Sequence, residues 1–510
     1  MTNTIDLYAN YNRKIGEDFE LGAMVGHSFL KTRSRTSYID AQNYPSPAFD
    51  VASVAANIVD ASAGLSEYAI ESYFARLSLA YKDRYVVNAT IRTDGSSRFA
   101  PDCRWGWFPS VSVGWNVSNE SFWNAEKTDL KIRASYGRTG NQDGISNYGW
   151  QALISGGVNY GGQSGIAISS SGNDRLTWET ADQYNAGFDL SFLGGKINMI
   201  ADVYLKNTNN LLYSKPVHAT TGETSILSNI GSMRNKGVEF TINTHLNLGK
   251  VLWSSSFNIA RNVNKLTSLL EDDLLSIGAN RALKLGRTVG SWYIFRTDGI
   301  YQYDGEVPQA LYDKGVRAGD VKYWDRNGDG NITDDDRIVT GNPNPKFSGG
   351  WNNTFKYKGL ELSLFFTYSY GNDVYASWMI PGSKPGHTRS LLKAYADNRW
   401  TGPGTSDKYP RAIYSYSGWN GKNSTMYLTD GSFIRLRSVT LGYTFPQRLV
   451  SKIHLKGLRV YAQGDNVFLC SRYPGWDPET SVNLDPRFYG EDNDGVPQPR
   501  IFKLGVNITF

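Results

Sequence analysis

Apolar and polar positions alternate along much of the chain with the two-residue period of a strand, whose successive side chains point to opposite faces. Phe347, Trp351, Phe355 and Tyr357 share one parity, and Ser348, Asn352, Thr354 and Lys356 share the other. After Lys358-Gly359, the positions Leu360, Leu362, Leu364, Phe366, Tyr368 and Tyr370 alternate with Glu361, Ser363, Thr367 and Ser369, and only Phe365 breaks the pattern. The pattern predicts two antiparallel strands of about 11 residues each, joined by a tight turn and carrying one apolar and one polar face. The same unit recurs around Lys82-Arg84, Gly194-Gly195 and Gly249-Lys250, and through 446–457, where a short helix is expected.

Between these hairpins lie long connections rich in Gly, Asn, Ser and Pro, at 31–70, 94–108, 139–178, 208–234, 265–346, 372–430 and 467–499. Long strands whose short turns alternate with long loops are the signature of an outer-membrane barrel, whereas strands of a soluble β-sandwich run about 5 or 6 residues and its loops are not sorted by length. Aromatic residues at strand ends, such as Tyr81, Tyr85, Trp107, Tyr357 and Tyr443, suit interfacial girdles. The last strand places Phe502, Leu504, Val506, Ile508 and Phe510 on one face, as the closing strand of a bacterial outer-membrane barrel does. No apolar run of about 18 residues exists for a transmembrane helix, and the first thirty residues show no export signal.

Composition agrees with strands and turns. The 510 residues include 52 Gly, 32 Tyr, 22 Phe and 14 Trp, with few stretches of strong helix formers. The 53 basic and 48 acidic residues leave a net charge of +5 without a basic block, which argues against nucleic acid as a partner. Cys103 and Cys470 stand too far apart for a metal or redox spacing. His27, His218, His245, His387 and His454 are scattered singly, and no metalloprotease, phosphate-loop or nucleophile-elbow pattern occurs, so no enzyme is expected.

Several segments together resemble the SusC/RagA family of TonB-dependent outer-membrane transporters of Bacteroidetes. They include "LKIRASYGRTGNQDG" at 130–144, "LTWETADQYNAGFDLSFLGG" at 176–195, "NIGSMRNKGVEFTIN" at 229–243 and "DRNGDGNITDDDRIVTGNPNPKFSGGW" at 325–351. "RWTGPGTSDKYPR" at 399–411, "DGSFIRLRSVTLGYTFP" at 430–446 and "DNVFLCSRYPGWDPE" at 465–479 follow in order. The resemblance implies an all-β transmembrane antiparallel barrel, with residues 1–510 as its C-terminal part. About 15 strands are readable, where the resemblance implies about 22 preceded by a plug domain and a signal peptide, neither of which is read here. It further implies import of oligosaccharides, or of peptides, in outer-membrane lipid. A SusD-like lipoprotein would serve as lid, and TonB-ExbB-ExbD would act through the N-terminal region. An inactive truncated remnant, or a secreted carbohydrate-binding β-protein, are the alternatives.

Two groups of residues are candidates for chemistry. The stretch Asp325–Arg337 spaces Asp325, Asn327, Asp329 and Asn331 alternately, with Gly330 at the sixth position and Asp336 at the twelfth, as a calcium loop does. Strand and Pro-containing turn flank it in place of the two helices of a calcium sensor, so it is either an ion-braced extracellular loop holding Ca²⁺ or Mg²⁺, or one shaped by Asx turns alone. No other cofactor is expected. Within the loops Trp150, Tyr160, Trp378, Trp400, Trp419 and Trp476 are candidates to stack on a sugar face or meet the lid.

Overall fold

The computed structural model describes residues 1–124, 127–218, 220, 222–269, 274–382, 390–413, 418–483 and 485–510; His387 lies outside them. Fifteen strands pair in chain order in one sheet. They are Thr2–Ile15, Phe19–Gln42, Asn57–Tyr81, Tyr85–Ser96, Trp105–Asn116, Thr128–Asn141, Glu179–Phe192, Ile197–Asn209, Ser232–Leu248, Val251–Ser268, Phe347–Tyr357, Leu360–Tyr370, Phe433–Thr444, Gly457–Ser471 and Ile501–Thr509. Helix is confined to short segments such as Gln309–Asp313, Lys393–Asn398 and the expected turn at Gln447–Val450. No helix among the described residues is long and apolar enough to cross a membrane.

The turn at Lys358-Gly359 shows how hairpin closure is encoded. Both residues take positive φ, 47° and 88°, the left-handed pair that a two-residue hairpin turn needs to match strand twist. Phe347 then falls opposite Tyr370, with Tyr357 opposite Leu360.

One compact unit comprises Met1–Trp123, Lys131–Ala186 and Leu205–Met233. In its sheet Leu79 lies across from Val87, and Val87 across from Val113. These side chains are 36%, 40% and 47% exposed, so the apolar face of the sheet has no protein layer over it. Its opposite face carries a polar ladder, in which Ser78 donates to Asn88 at 2.7 Å and Asn88 donates to Ser112 at 3.4 Å. The unit's buried core centres on its connections instead, where Phe99, Ile145, Leu176 and Trp178 pack with Phe108 of the strand Trp105–Asn116.

The second unit comprises Asn124–Leu130, Gly187–Tyr204 and Arg234–Phe510. Here Leu360, Tyr443, Val460 and Val506 follow one another across four strands. All four are more than a third exposed, again a bare apolar stripe on a single-layered sheet. None of the twelve largest fully buried side chains among the described residues lies in the fifteen-stranded sheet. Soluble sandwiches bury such stripes between two sheets; a barrel leaves them to lipid.

The loops are more ordered than the sequence pattern predicts. The 31–70 connection is largely strand, because Phe19–Gln42 and Asn57–Tyr81 continue pairing from Arg33 opposite Glu67 to Gln42 opposite Asn57. Small sheets also form within the connections, at Leu153–Gly156 with Ile166–Ser170, Leu212–Pro216 with Ser225–Asn229, and Trp292–Phe295 with Arg337–Thr340.

Candidate functional site

The long connections of the second unit build two apolar clusters. Phe295, Ile300, Tyr301, Val307, Leu311, Val316, Val321, Tyr323 and Ile332 form one. Trp292, Ile294, Val374, Tyr375, Ala376, Met379, Tyr427 and Tyr473 form the other, and Met426 packs against both. Polar clamps hold the segments that carry these side chains. Arg411 donates from Nε and Nη2 to the two carboxylate oxygens of buried Asp320 at 2.8 and 3.0 Å. Asn420 donates to Asp320 Oδ1 at 3.0 Å, and the Arg317 amide to Oδ2 at 2.9 Å.

Arg281 is fully buried, with its guanidinium 4.1 Å from the Trp292 ring centroid. It donates to the carbonyls of Gly290, Phe488 and Tyr489, tying the strand Arg281–Lys284 to the chain near residue 490. Burial outweighs the attraction of Glu491 and Tyr375 and pulls its pKa down to about 10.

The connection after Gly457–Ser471 folds back over this core and opens a cleft of about 610 Å³. Trp378, Leu392, Pro474, Trp476, Val496 and Pro497 supply its apolar walls, with Asp492 and Asp494 among the lining residues. A hydrogen-bond chain runs beneath it. Trp378 Nε1 donates to the Tyr473 hydroxyl at 3.1 Å, and Tyr473 donates to Asp492 Oδ2 at 2.5 Å. Burial, reinforced by the hydrogen bond to Asp492, pushes the Tyr473 phenol well above its ordinary range, so it stays a donor. Asp492 Oδ1 accepts from the Gly495 amide at 2.9 Å and from Thr480 Oγ1 at 3.3 Å. Trp476 is 80% exposed on the rim.

Of the six aromatic candidates, the structure therefore brings Trp378 and Trp476 to one site. Trp400 and Trp419 pack against the first cluster, with Trp400 Nε1 donating to Gln302 and Trp419 Nε1 to the Val321 carbonyl. In the first unit, Trp150 is half-buried and donates to the Ser97 carbonyl, while Tyr160 is 91% exposed. Sequence reading missed Tyr473, Asp492 and the Val496-Pro497 wall. "SRYPGWDPE" and "EDNDGVP" hold the residue types, but nothing in their spacing joins them to Trp378, about 100 positions away.

In the loop Asp325–Arg337, Asp325 accepts from the amides of Gly328 and Gly330, each at 2.7 Å. Gly330 takes φ +77°, which permits the turn. Asn327 Oδ1 accepts from the Asp329 amide, and Asp329 Oδ1 from the Asn331 amide. Lys314 donates to Asn331 Oδ1 at 2.7 Å. Fully buried Asp336 accepts from the Arg326 and Thr333 amides, the latter within a capping box. Asp325, Asn327 and Asp329 thus shape the loop by Asx-type bonds, while Asn331 is held by Lys314 and Asp336 closes the capping box. Among the described residues, no three His, Cys, Asp or Glu side chains gather where they would hold a metal ion.

Comparison with known proteins places this architecture. Residues 2–331 match the family model described as TonB dependent receptor-like, beta-barrel. The chain is 30% identical over 536 residues to TonB-dependent receptor P3 of Formosa agariphila, covering 100% of this chain and 52% of that relative. It is 29% identical over 531 residues to TonB-dependent receptor SusC of Bacteroides thetaiotaomicron, covering 99% and 50%. Among solved structures, the RagAB peptide transporter superposes with a TM-score of 0.86 at 22% identity, over 100% of this chain and 55% of that one, a likeness of fold. The chain spans about half the length of the curated relatives it matches. With its bare apolar stripes, sorted turns and matched family model, the chain belongs to the TonB-dependent receptor β-barrel family and is a protein of the outer membrane.

Proposed function

We propose that this chain is the barrel portion of a nutrient importer of the SusC type, which passes an oligosaccharide or a peptide across the outer membrane. A SusD-like lipoprotein would close over the outer loops, and TonB would energise release into the periplasm. The observation that carries this reading is the pairing of a single-layered sheet, apolar on its outer stripe, with long connections folded around their own core and opening a cleft. Binding energy would come from aromatic walls and fixed polar groups, since import needs recognition and release and not bond chemistry. No catalytic role is assigned to any residue.

A hard cation at Asp325, Asn327, Asp329, Asn331 and Asp336 enters this proposal as an added brace. The backbone amides already shape the loop, and a carboxylate oxygen that accepts one hydrogen bond keeps a second lone pair for an ion.

Uptake of labelled oligosaccharides and peptides by cells that carry or lack the whole protein tests the reading. Uptake should be lost with the protein and with TonB. Undiminished uptake in either deletion would remove import as its function.

A further inference from the structure

We infer that Lys31, Arg33 and Arg35, in line on the lipid-side face of the first unit, hold the phosphate groups of an anionic glycolipid in the outer leaflet. This rests on the outer-membrane placement and not on import. Along the bare apolar face of that unit, Phe19, Tyr81, Tyr85 and Trp115 form an aromatic row, with successive ring centroids 4.5, 6.4 and 6.3 Å apart. The short turn between Tyr81 and Tyr85 puts this row at the periplasmic boundary. Tyr73 closes the stripe at its other end, its ring centroid 4.8 Å from that of His27 and 6.1 Å from that of Trp105. Lys31, Arg33 and Arg35 have the parity of His27, which lies opposite Tyr73, so they continue the same face.

Height along the sheet decides what they meet. Ala69, opposite Lys31, precedes Tyr81 by 12 positions, and Glu67, opposite Arg33, by 14. At about 3.3 Å per residue and a tilt of about 40°, Lys31 stands roughly 30 Å and Arg33 roughly 35 Å above the lower aromatic row. An apolar band about 25 Å tall has ended there, and the headgroup layer has begun. Arg35 stands higher still, on a stem long enough to reach back toward that layer.

The charges on this face do not cancel. Glu67 pairs with Arg33 Nε at 2.9 Å and with Lys31 Nζ at 3.5 Å. Arg35 lies opposite Leu65, exposed, and makes no ion pair among the described residues. Glu71 is engaged elsewhere, by the Tyr73 hydroxyl at 2.7 Å and by His27 Nε2 at 3.3 Å. Three cations therefore share one carboxylate, and cations at alternate positions of a strand stand about 7 Å apart and repel. A phosphate between Arg33 and Arg35 offsets that repulsion and accepts from both guanidinium forks. Its acyl chains then run down over half-exposed Tyr73 and Leu77. A zwitterionic headgroup would bring an ammonium of its own to the same cations.

Native mass spectrometry of the full chain in zwitterionic detergent micelles tests the assignment. The probes are lipid A, an acylated glucosamine disaccharide bisphosphate, its dephosphorylated form, and inorganic phosphate. Lipid A should bind roughly thirtyfold more tightly than the dephosphorylated form, and Arg33→Gln/Arg35→Gln should remove that advantage. Arg33→Lys/Arg35→Lys should retain part of it. Glu67→Gln, which releases Lys31 and Arg33, should tighten lipid A binding about three- to fivefold, a gain that a merely structural carboxylate would not give.

Equal binding of the two lipids, or a double substitution without effect, overturns the assignment. Inorganic phosphate bound as tightly as lipid A would mark a soluble-anion site and overturn it too. So would self-association that Arg33→Gln/Arg35→Gln dissolves, which would give the face to a second copy of the chain. If the double substitution does not fold, the lipid pair on the unsubstituted chain and Glu67→Gln decide the matter. TonB-dependent uptake bears on import alone, so the two readings fail separately.

Discussion

Replacing Arg411 with Met should loosen the outer-loop core without touching the sheet. The substitution removes two charge-assisted bonds, at 2.8 and 3.0 Å, from a carboxylate that is 2% exposed. Breaking a buried ion pair from one side costs about 3–5 kcal/mol because the remaining charge stays buried. Two facts pull the value to the low end. The Arg411 side chain is 30% exposed, which lets water reach the gap, and Asp320 keeps the bonds from Asn420 and the Arg317 amide. A local loss of about 2.7 kcal/mol corresponds to roughly 100-fold faster exchange of amides that open with this core.

Hydrogen exchange followed by mass spectrometry, in micelles at fixed pH, reads that factor on peptides covering 297–323. Peptides covering Phe347–Tyr370 serve as the control and should not change. Arg411→Lys retains the charge but loses the two-pronged geometry, so it should fall between. Exchange accelerated less than about threefold in Arg411→Met would refute the view that this pair holds the core together, as would equal acceleration in the control peptides.

Other expected outcomes test other links. Leu77 lies midway between Tyr73 and Tyr81 on the bare face, so Leu77→Arg should lower stability in bilayers by about 2–4 kcal/mol, and Ser78→Arg on the polar face by much less; equal effects on folding yield would argue against lipid on that face. For the loop Asp325–Arg337, Ca²⁺ titration should release heat that the double substitution Asp325→Ala/Asp329→Ala abolishes, and chelation should leave the loop folded on its Asx bonds; equal heats in both proteins would end the ion-brace proposal. Burial pushes the Tyr395 phenol up to about 12 and moves Tyr375 upward as well. Held neutral in the fold, these phenols ionise first in the unfolded chain, so their contribution is complete below about pH 10 and is lost as pH rises toward 12. Absorbance at the phenolate band should therefore show a late phase coinciding with loss of the loop core, and a single phase with the core intact would contradict the burial.

How much of this was legible in the sequence follows from which interactions are local. The strand pairs around Lys358-Gly359 were readable because period-two alternation and a two-residue turn are written within about 25 positions. The extension of Phe19–Gln42 and Asn57–Tyr81 was not, because "TRSRTSYIDAQ" lacks an apolar face although its Thr and Tyr favour strands. The interior of the loops was hidden for a different reason. Trp292, Tyr375 and Tyr427 meet only when two distant connections fold together, and each sits in a short apolar run that fits helix, strand or turn. The calcium-like spacing was plain, but whether its oxygens face an ion or their own amides depends on rotamers that spacing does not encode. Trp400 and Trp419 looked like ligand contacts in a list of loop aromatics; their indole N–H groups are engaged on the loop core.

The concentration of fully buried side chains in the connections, with none of the largest in the sheet, gives the two regions unequal freedom to change. Sheet positions are constrained by lipid and by register, and the clustered loop positions by tight packing. A rim residue such as Trp476, four-fifths exposed and hung on that packed base, is bound by neither. Under the import function proposed above, a lineage could alter what is collected by exchanging a few such residues, with the foundations untouched, and a designer wishing to redirect the cargo would begin at the same rim.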